Sequence, residues 1–294
     1  MIVVTHHDAD GTLSLALLFR KINVEKVYFT SPTNLLRTLG RILYEQGDEK
    51  ELVIVDLSGN QKHLNVASAF KKVIWLDHHV WEKVNPPENV ELYVKPYNSA
   101  VKVVAEYFNL NDDISKELVK IGEEIDSNNL KSEKAFFLRD LIAAFKWKYQ
   151  KSHYEYLYLL AKELADLGLK ALDKEQYKQL VKEYREWLKT KILDIILKAR
   201  PYEVAGKKVL IIRLNEMIPT FFVYEIISNR IEDKFDYIFV VYENPKGTRI
   251  EIRTQTNTEV LPVAKKLGGG GHKYAAGVTI KGKIKDEEIL SAIE

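Results

Sequence analysis

Lys71-Lys72-Val73-Ile74-Trp75-Leu76-Asp77-His78-His79 decides how the first half of this chain is read. An apolar run of strand length, rich in β-branched and aromatic residues, ends abruptly in a carboxylate and two imidazoles. The same arrangement recurs upstream. Ile2-Val3-Val4-Thr5 runs into His6-His7-Asp8-Ala9-Asp10-Gly11, and Leu52-Val53-Ile54-Val55 closes on Asp56. Between them, residues 12–22 and 34–46 carry helical apolar spacing, and residues 27–29 read as another strand. Strand–helix alternation predicts an α/β fold whose parallel sheet has helices on both faces. Ligands in such sheets bind at the carboxyl ends of the strands, where all three polar motifs fall.

Further along, residues 99–172 read mostly as helix and carry Asp126 within Glu124-Ile125-Asp126-Ser127. From Asp173 the spacing of Tyr177, Leu180, Val181, Tyr184, Trp187, Leu188 and Ile192 predicts one long amphipathic helix. Asp173 with Gln176 forms its expected capping pair, and Pro201 its stop. Strand-like runs at 208–213, 237–242, 249–253 and 277–280, with helices near 221–230 and 260–267, predict a smaller α/β domain behind it. The expected organisation is a domain over 1–172, a connecting helix over 173–201 and a second domain over 202–294. The one compositional anomaly is Gly268-Gly269-Gly270-Gly271, and no internal repeat is visible.

Composition narrows the function classes. The 294 residues are 46% hydrophobic and 29% charged, an ordinary globular balance. Against 44 basic residues stand 42 acidic ones, which argues against a protein that coats nucleic acid through bulk charge. There is no cysteine, so a bound metal must be held by Asp, Glu or His. Met1 leads straight into a strand-like run, with no charged leader and no apolar stretch of membrane length, so a cytoplasmic protein is expected.

Carboxylates and imidazoles gathered at strand ends are the donors a divalent-metal hydrolase uses. Each also has a plainer reading. Asp8, Asp10 and Gly11 suit a turn and helix cap, with Gly11 easing the bend, and Asp56 suits a cap. His78 and His79 suit a hydrogen-bonded pair, and adjacent residues point in different directions, so the two do not serve one metal. Asp126 has two acidic neighbours, Glu123 and Glu124, and reads equally as helix surface. Arg253 reads as a surface strand residue or a phosphate ligand, for which its planar fork is suited. The glycine run suits a helix end, or the approach of an anion to backbone N–H groups. His63 and His153 read as surface residues, and His7 as no direct metal ligand. No Gly-x-Gly-x-x-Gly follows the first strand, which argues against a generic dinucleotide binder.

Taken together, these motifs resemble the DHH phosphoesterase superfamily, which includes RecJ exonucleases, oligoribonuclease/pAp-phosphatase enzymes and family II pyrophosphatases. Motif I matches residues 6–11, motif II Asp56, motif III Asp77-His78-His79, and motif IV Asp126. The accessory DHHA1 signature matches in full at Gly269-Gly270-Gly271-His272-Lys273-Tyr274-Ala275-Ala276-Gly277. His6 stands two residues before Asp8, and Val4 occupies the position where the pyrophosphatase and pAp-phosphatase branches carry histidine. That spacing looks more like the RecJ and archaeal nuclease branches.

The resemblance implies a two-metal phosphoesterase using Mn²⁺, with Mg²⁺ as the alternative. One ion would be held by Asp8, Asp56 and His6, the other by Asp10, Asp56, His78 and Asp126, with Asp56 bridging. His79 would face the substrate phosphoryl group and Asp77 would orient an imidazole. Arg253, Gly269, Gly270, Gly271 and His272 would hold the substrate's distal phosphate or nucleotide. The accessory signature points away from pyrophosphatase, and a two-domain length favours short RNA or DNA, linear dinucleotides or pAp. RecJ-like digestion of longer single strands is the alternative activity, and a non-catalytic replication module the alternative of another class. A homodimer is compatible with either.

Overall fold

Ile2, Val3 and Val4 are all buried, so β1 (Ile2–His6) has no solvent face, as a central parallel strand requires. Its neighbours are β2 (Lys26–Thr30) and β3 (Glu51–Val55), and β4 (Lys72–Asp77) and β5 (Val90–Val94) extend the sheet. The strand order is β2-β1-β3-β4-β5, with every pairing parallel. α1 (Ala9–Lys21) leaves the carboxyl end of β1 and is buried over its first ten residues. The opposite face is covered by α2 (Leu35–Gln46) and α3 (Gln61–Ala67), whose Leu35, Leu39, Ile42 and Leu64 pack against Ile2, Val4, Ile54 and Trp75. Around α1 gather α4 (Ala100–Tyr107), α5 (Asp113–Asp126), α6 (Glu133–Tyr149) and α7 (His153–Leu167). The expected doubly covered parallel sheet is present, with β5 as an additional edge strand.

This computed structural model describes residues 1–244 and 247–293. They form two compact units, Met1–Tyr184 and Arg185–Glu294. The long helix expected over 173–201 is instead two helices, α8 (Glu175–Lys189) and α9 (Ile192–Lys198). Thr190 and Lys191 separate them, their N–H groups bonding back only three residues, to Trp187 and Leu188. Apolar spacing runs on across that turn, which is why periodicity does not reveal the break. Nor do the expected end signals hold. The Asp173 carboxylate accepts from Lys134 rather than capping the helix. Pro201 lies opposite Leu210 in an edge strand, a position where its missing N–H is tolerated.

The second unit has β6 (Ala199–Val204), β7 (Lys207–Leu214), β8 (Tyr237–Asn244), β9 (Gly247–Arg253), β10 (Gly270–His272) and β11 (Ala275–Ile280) in the order β10-β11-β9-β8-β7-β6. Among the described residues only the β7–β8 pairing is parallel, across the crossover helix α10 (Thr220–Arg230). On one face Ile211, Phe239, Ile250, Ile252 and Val278 pack with Val263 of α11 (Leu261–Lys266) and Ile289 of α12 (Asp286–Ser291).

Candidate metal centre

Four separate segments bring their polar ends together at the carboxyl edge of the first sheet. β1 ends in His6, whose Nδ1 lies 2.5 Å from Asp8 Oδ2. Asp8 is the N-cap of α1, its other oxygen accepting from the Gly11 N–H at 3.0 Å. Capping and a role in the centre are therefore not alternatives here: each oxygen does one. Gly11 is needed for room rather than for the bend, because a Cβ there would lie 2.3 Å from the His6 carbonyl oxygen.

Asp10, 2% exposed, points the other way, into the N-terminus of α4. Its carboxylate accepts from Ala100 N–H and, at 2.9 Å, from Val101 N–H. Helix N-termini favour such anions. Even so, burial and the nearby charge of Asp126 push Asp10 up to about 7, against the pull of His78 and the Ala100 N–H.

β3 closes on Asp56, which takes φ 58, a left-handed conformation uncommon outside glycine but tolerated by aspartate. Its N–H still reaches the Leu76 carbonyl at 3.1 Å, so the strand ladder survives while the side chain is turned into the centre. Asp56 is 3% exposed, and its Oδ2 is buried with no hydrogen-bond partner. Burial, then the charges of Asp8, Asp10, Asp126 and Asp77, raise its carboxyl well above the usual carboxylate range. A buried carboxylate among other carboxylates is costly unless a cation joins it.

β4 delivers the third segment. Asp77 is fully buried and accepts from His79 Nδ1 at 2.7 Å and Trp81 Nε1 at 2.6 Å. Burial alone would raise its carboxyl; the bonds and charge of His79, with Trp81, outweigh it and hold the group below its ordinary value. Reciprocally, Asp77 raises the pKa of His79 despite that ring's burial. His78 turns the opposite way. Its Nδ1 lies 3.1 Å from the Tyr97 carbonyl, fixing the ring as outer partners of metal-bound imidazoles do. Its Nε2 lies 3.6 Å from Asp56 Oδ1, 3.6 Å from Asp126 Oδ2 and 3.7 Å from Asp10 Oδ2.

Asp126, the last residue of α5, keeps 28% side-chain exposure, yet burial and the charge of Asp8 raise it to about 7. Its two acidic neighbours are spoken for. Glu123 pairs with Lys102 at 3.1 Å, and Glu124 accepts from the Lys131 and Ser132 N–H groups. Asp126 alone of the three joins the centre.

Two donor groups result, with one atom from each member within 4.8 Å of the others: His6, Asp8 and Asp56, and Asp10, His78 and Asp126. Asp56 touches both, Oδ2 lying 3.8 Å from His6 Nδ1 and Oδ1 near His78. A third such group combines Asp56, Asp77, His78 and His79. These residues suit hard or borderline divalent cations.

Residues 1–129 match the DHH family, N-terminal domain, and residues 208–294 match the DHHA1 domain. The first domain belongs to the DHH family and the last is a DHHA1 domain. DHH superfamily members are metal-dependent phosphoesterases and exonucleases, and the chain takes its place among them. No curated protein matches it. Among solved structures, the pGpG-specific phosphodiesterase PggH from Vibrio cholerae is 17% identical with a TM-score of 0.62, over 95% of this chain and 92% of that one. The DHH domain of a member of the s1p family of ribosomal proteins is 16% identical, TM-score 0.64, covering 99% and 84%. Exonuclease RecJ bound to manganese is 19% identical, TM-score 0.53, covering 99% and 87%. At these identities the likeness is one of fold.

In this DHH protein the C-terminal candidates lie on the second sheet. Register puts Arg253 opposite Ala275, and Ala275 opposite His272, so one row crosses β9, β11 and β10. Residues in one row share a face. Arg253 is held by the Ile252 carbonyl at 2.9 Å, with Glu251 at 3.6 Å, and burial lowers its pKa. The glycines divide. A Cβ at Gly269 would lie 2.3 Å from the Gly277 oxygen, and one at Gly271 2.7 Å from the Ala275 oxygen, whereas Gly270 faces open space. Two of the three thus answer to the close approach of β11.

Sequence reasoning missed the outer partners. Trp81, Tyr97 and the α4 N-terminus were not singled out. A helix start at residue 100 is legible from Ser99 before an apolar run, but its carboxylate partner, 90 residues upstream, carries no local signal. Nor is His153 idle: its ring lies 5.9 Å from that of His7.

Proposed function

We propose that the chain is a two-metal phosphodiesterase that uses Mn²⁺ to hydrolyse short oligonucleotides, with linear dinucleotides and pAp in the same class. The observation that carries this is Asp56: one buried oxygen without a donor faces the His6–Asp8 group, and the other faces His78. His6, Asp8 and Asp56 would hold one ion; Asp10, Asp56, His78 and Asp126 the other. The mixed imidazole and carboxylate set favours Mn²⁺ over the oxygen-rich shells of Mg²⁺. Bound there, the pair of cations would activate a water and neutralise charge on the phosphoryl oxygens.

The remaining roles belong to the chain. Asp77 holds the His79 ring in place and favours its protonated form, and His79 donates to the phosphoryl oxygens as charge develops on them. Trp81 and the Tyr97 carbonyl fix Asp77 and His78, so neither swings during turnover. In the second unit, Arg253, His272 and the Gly269–Gly271 segment form a phosphate-binding surface, to which Arg253 contributes its fork.

The test is incubation with Mn²⁺ and end-labelled RNA and DNA, from dinucleotides to long strands, with pAp and pyrophosphate alongside. Rapid loss of only the shortest substrates is expected. Processive digestion of long strands would replace this reading with a RecJ-like one, and hydrolysis of nothing would replace it with a binding module.

A further inference from the structure

Beside the centre stands a group of rings that the chemistry above does not use. Tyr154, at the start of α7, lies nearly parallel to Phe29 of β2, with an interplanar angle of 5° and centroids 5.6 Å apart. His153 lies 4.1 Å from Tyr154, and His7 lies 5.8 Å from it. His7 in turn is 4.8 Å from His6, so the group abuts the metal donors. It occupies the carboxyl end of β1 and β2, the edge where α/β sheets take ligands.

Core packing does not account for this group. Tyr154 keeps 37% of its surface exposed. His7 Nδ1 and His153 Nε2 are buried without a hydrogen-bond partner, whereas polar atoms in a settled core are paired. Lys146 of α6 is close enough for its charge to bear on His7, Asp8 and His153, which puts a cation near the histidines that flank the rings. A planar face, a cation and an adjoining phosphoryl site together are what a nucleotide requires.

We propose that Tyr154, backed by Phe29 and flanked by His7 and His153, is a stacking platform for the nucleobase next to the scissile phosphate. The platform rests on the phosphodiester reading for its place in catalysis, and it makes the substrate a nucleotide rather than any phosphoester.

Calorimetric titration of the full chain with Mn²⁺ present tests it, with AMP and ribose 5-phosphate as the two probes. Wild type should bind AMP about tenfold or more tighter than ribose 5-phosphate, the scale of one base–aromatic stack. Tyr154→Phe should keep that ratio. Tyr154→Leu, which retains apolar bulk without a flat face, should bring it close to one while leaving ribose 5-phosphate affinity unchanged. Phe29→Leu is the second variant and should lower the ratio in the same sense. A wild-type ratio near one, an unchanged ratio in Tyr154→Leu, or equal weakening of both probes would overturn the proposal. Hydrolysis is not read in this experiment. A chain that prefers AMP through Tyr154 yet cleaves nothing keeps the platform and loses the phosphodiesterase; one that cleaves oligonucleotides with a ratio of one does the reverse.

Discussion

Asp10→Asn separates charge from shape in the centre. In the metal-free protein Asp10 is raised from 3.8 to about 7, chiefly by burial and then by Asp126. In the unfolded chain it ionises near its ordinary value, so between those limits the folded state holds the extra proton. Stability from this group is full below the unfolded pKa and is lost as pH rises through the folded one. The whole window amounts to about 4 kcal/mol, of which roughly 3 falls between pH 5 and 8. Asparagine cannot ionise, so relative to wild type the variant should gain that amount over the same range. For a unit of this size the gain corresponds to about 5–10 °C in Tm. Losing one of the two bonds from Ala100 and Val101 shifts the variant's stability by a constant and leaves the slope untouched. Thermal unfolding followed by circular dichroism in EDTA, at intervals from pH 5 to 8, measures the gap. A gap that does not change with pH would refute the reasoning, because it would mean that Asp10 is already ionised at the low end. Adding Mn²⁺ should then reverse the order, stabilising wild type and leaving Asp10→Asn behind.

Asp56→Asn should keep the left-handed backbone and raise the metal-free Tm by relieving repulsion. Its Mn²⁺-dependent turnover should fall by more than the roughly 10–100-fold that loss of an outer ligand partner costs, and substantial residual turnover would remove the bridging role. Gly11→Ala places a Cβ 2.3 Å from a backbone oxygen, so it should cost about 3 kcal/mol, read as a lower Tm even with metal present. Arg253→Ala should raise KM about tenfold with kcat little changed, as the loss of a charge-assisted bond to phosphate predicts; an unchanged KM would sink that assignment.

How much of this was legible beforehand follows from what is local. β1, β3 and β4 are apolar runs buried on both faces, and their ends announce themselves by an abrupt change to polar residues, so the sheet and its working edge could be read directly. The DHHA1 signature likewise fell on one hairpin. The break at Thr190 could not be read, because the apolar spacing persists through it. Motif order gathered Asp126 with Asp10 and His78, but only the tertiary pairing of Glu123 with Lys102 and of Glu124 with the Lys131–Ser132 turn shows why the choice falls on Asp126. The glycine run reads as a helix end or as a loop that approaches an anion. Its spacing is explained in part by the proximity of β11, which no glycine count discloses.

The donors of the centre are spread from His6 at the end of β1 to Asp126 at the end of α5. That spread has a consequence for how the protein is made. A chain emerging from the ribosome cannot complete the Asp10, His78 and Asp126 donor group until the far end of α5 has been synthesised and has docked beside α1 and α4. If the proposed pair of ions is bound, the one held by Asp10, His78 and Asp126 would join a unit whose sheet is already built, locking the finished fold rather than nucleating it. A truncated product ending before residue 126 would be expected to pair all five strands of the first sheet and keep the His6, Asp8 and Asp56 group while lacking the second.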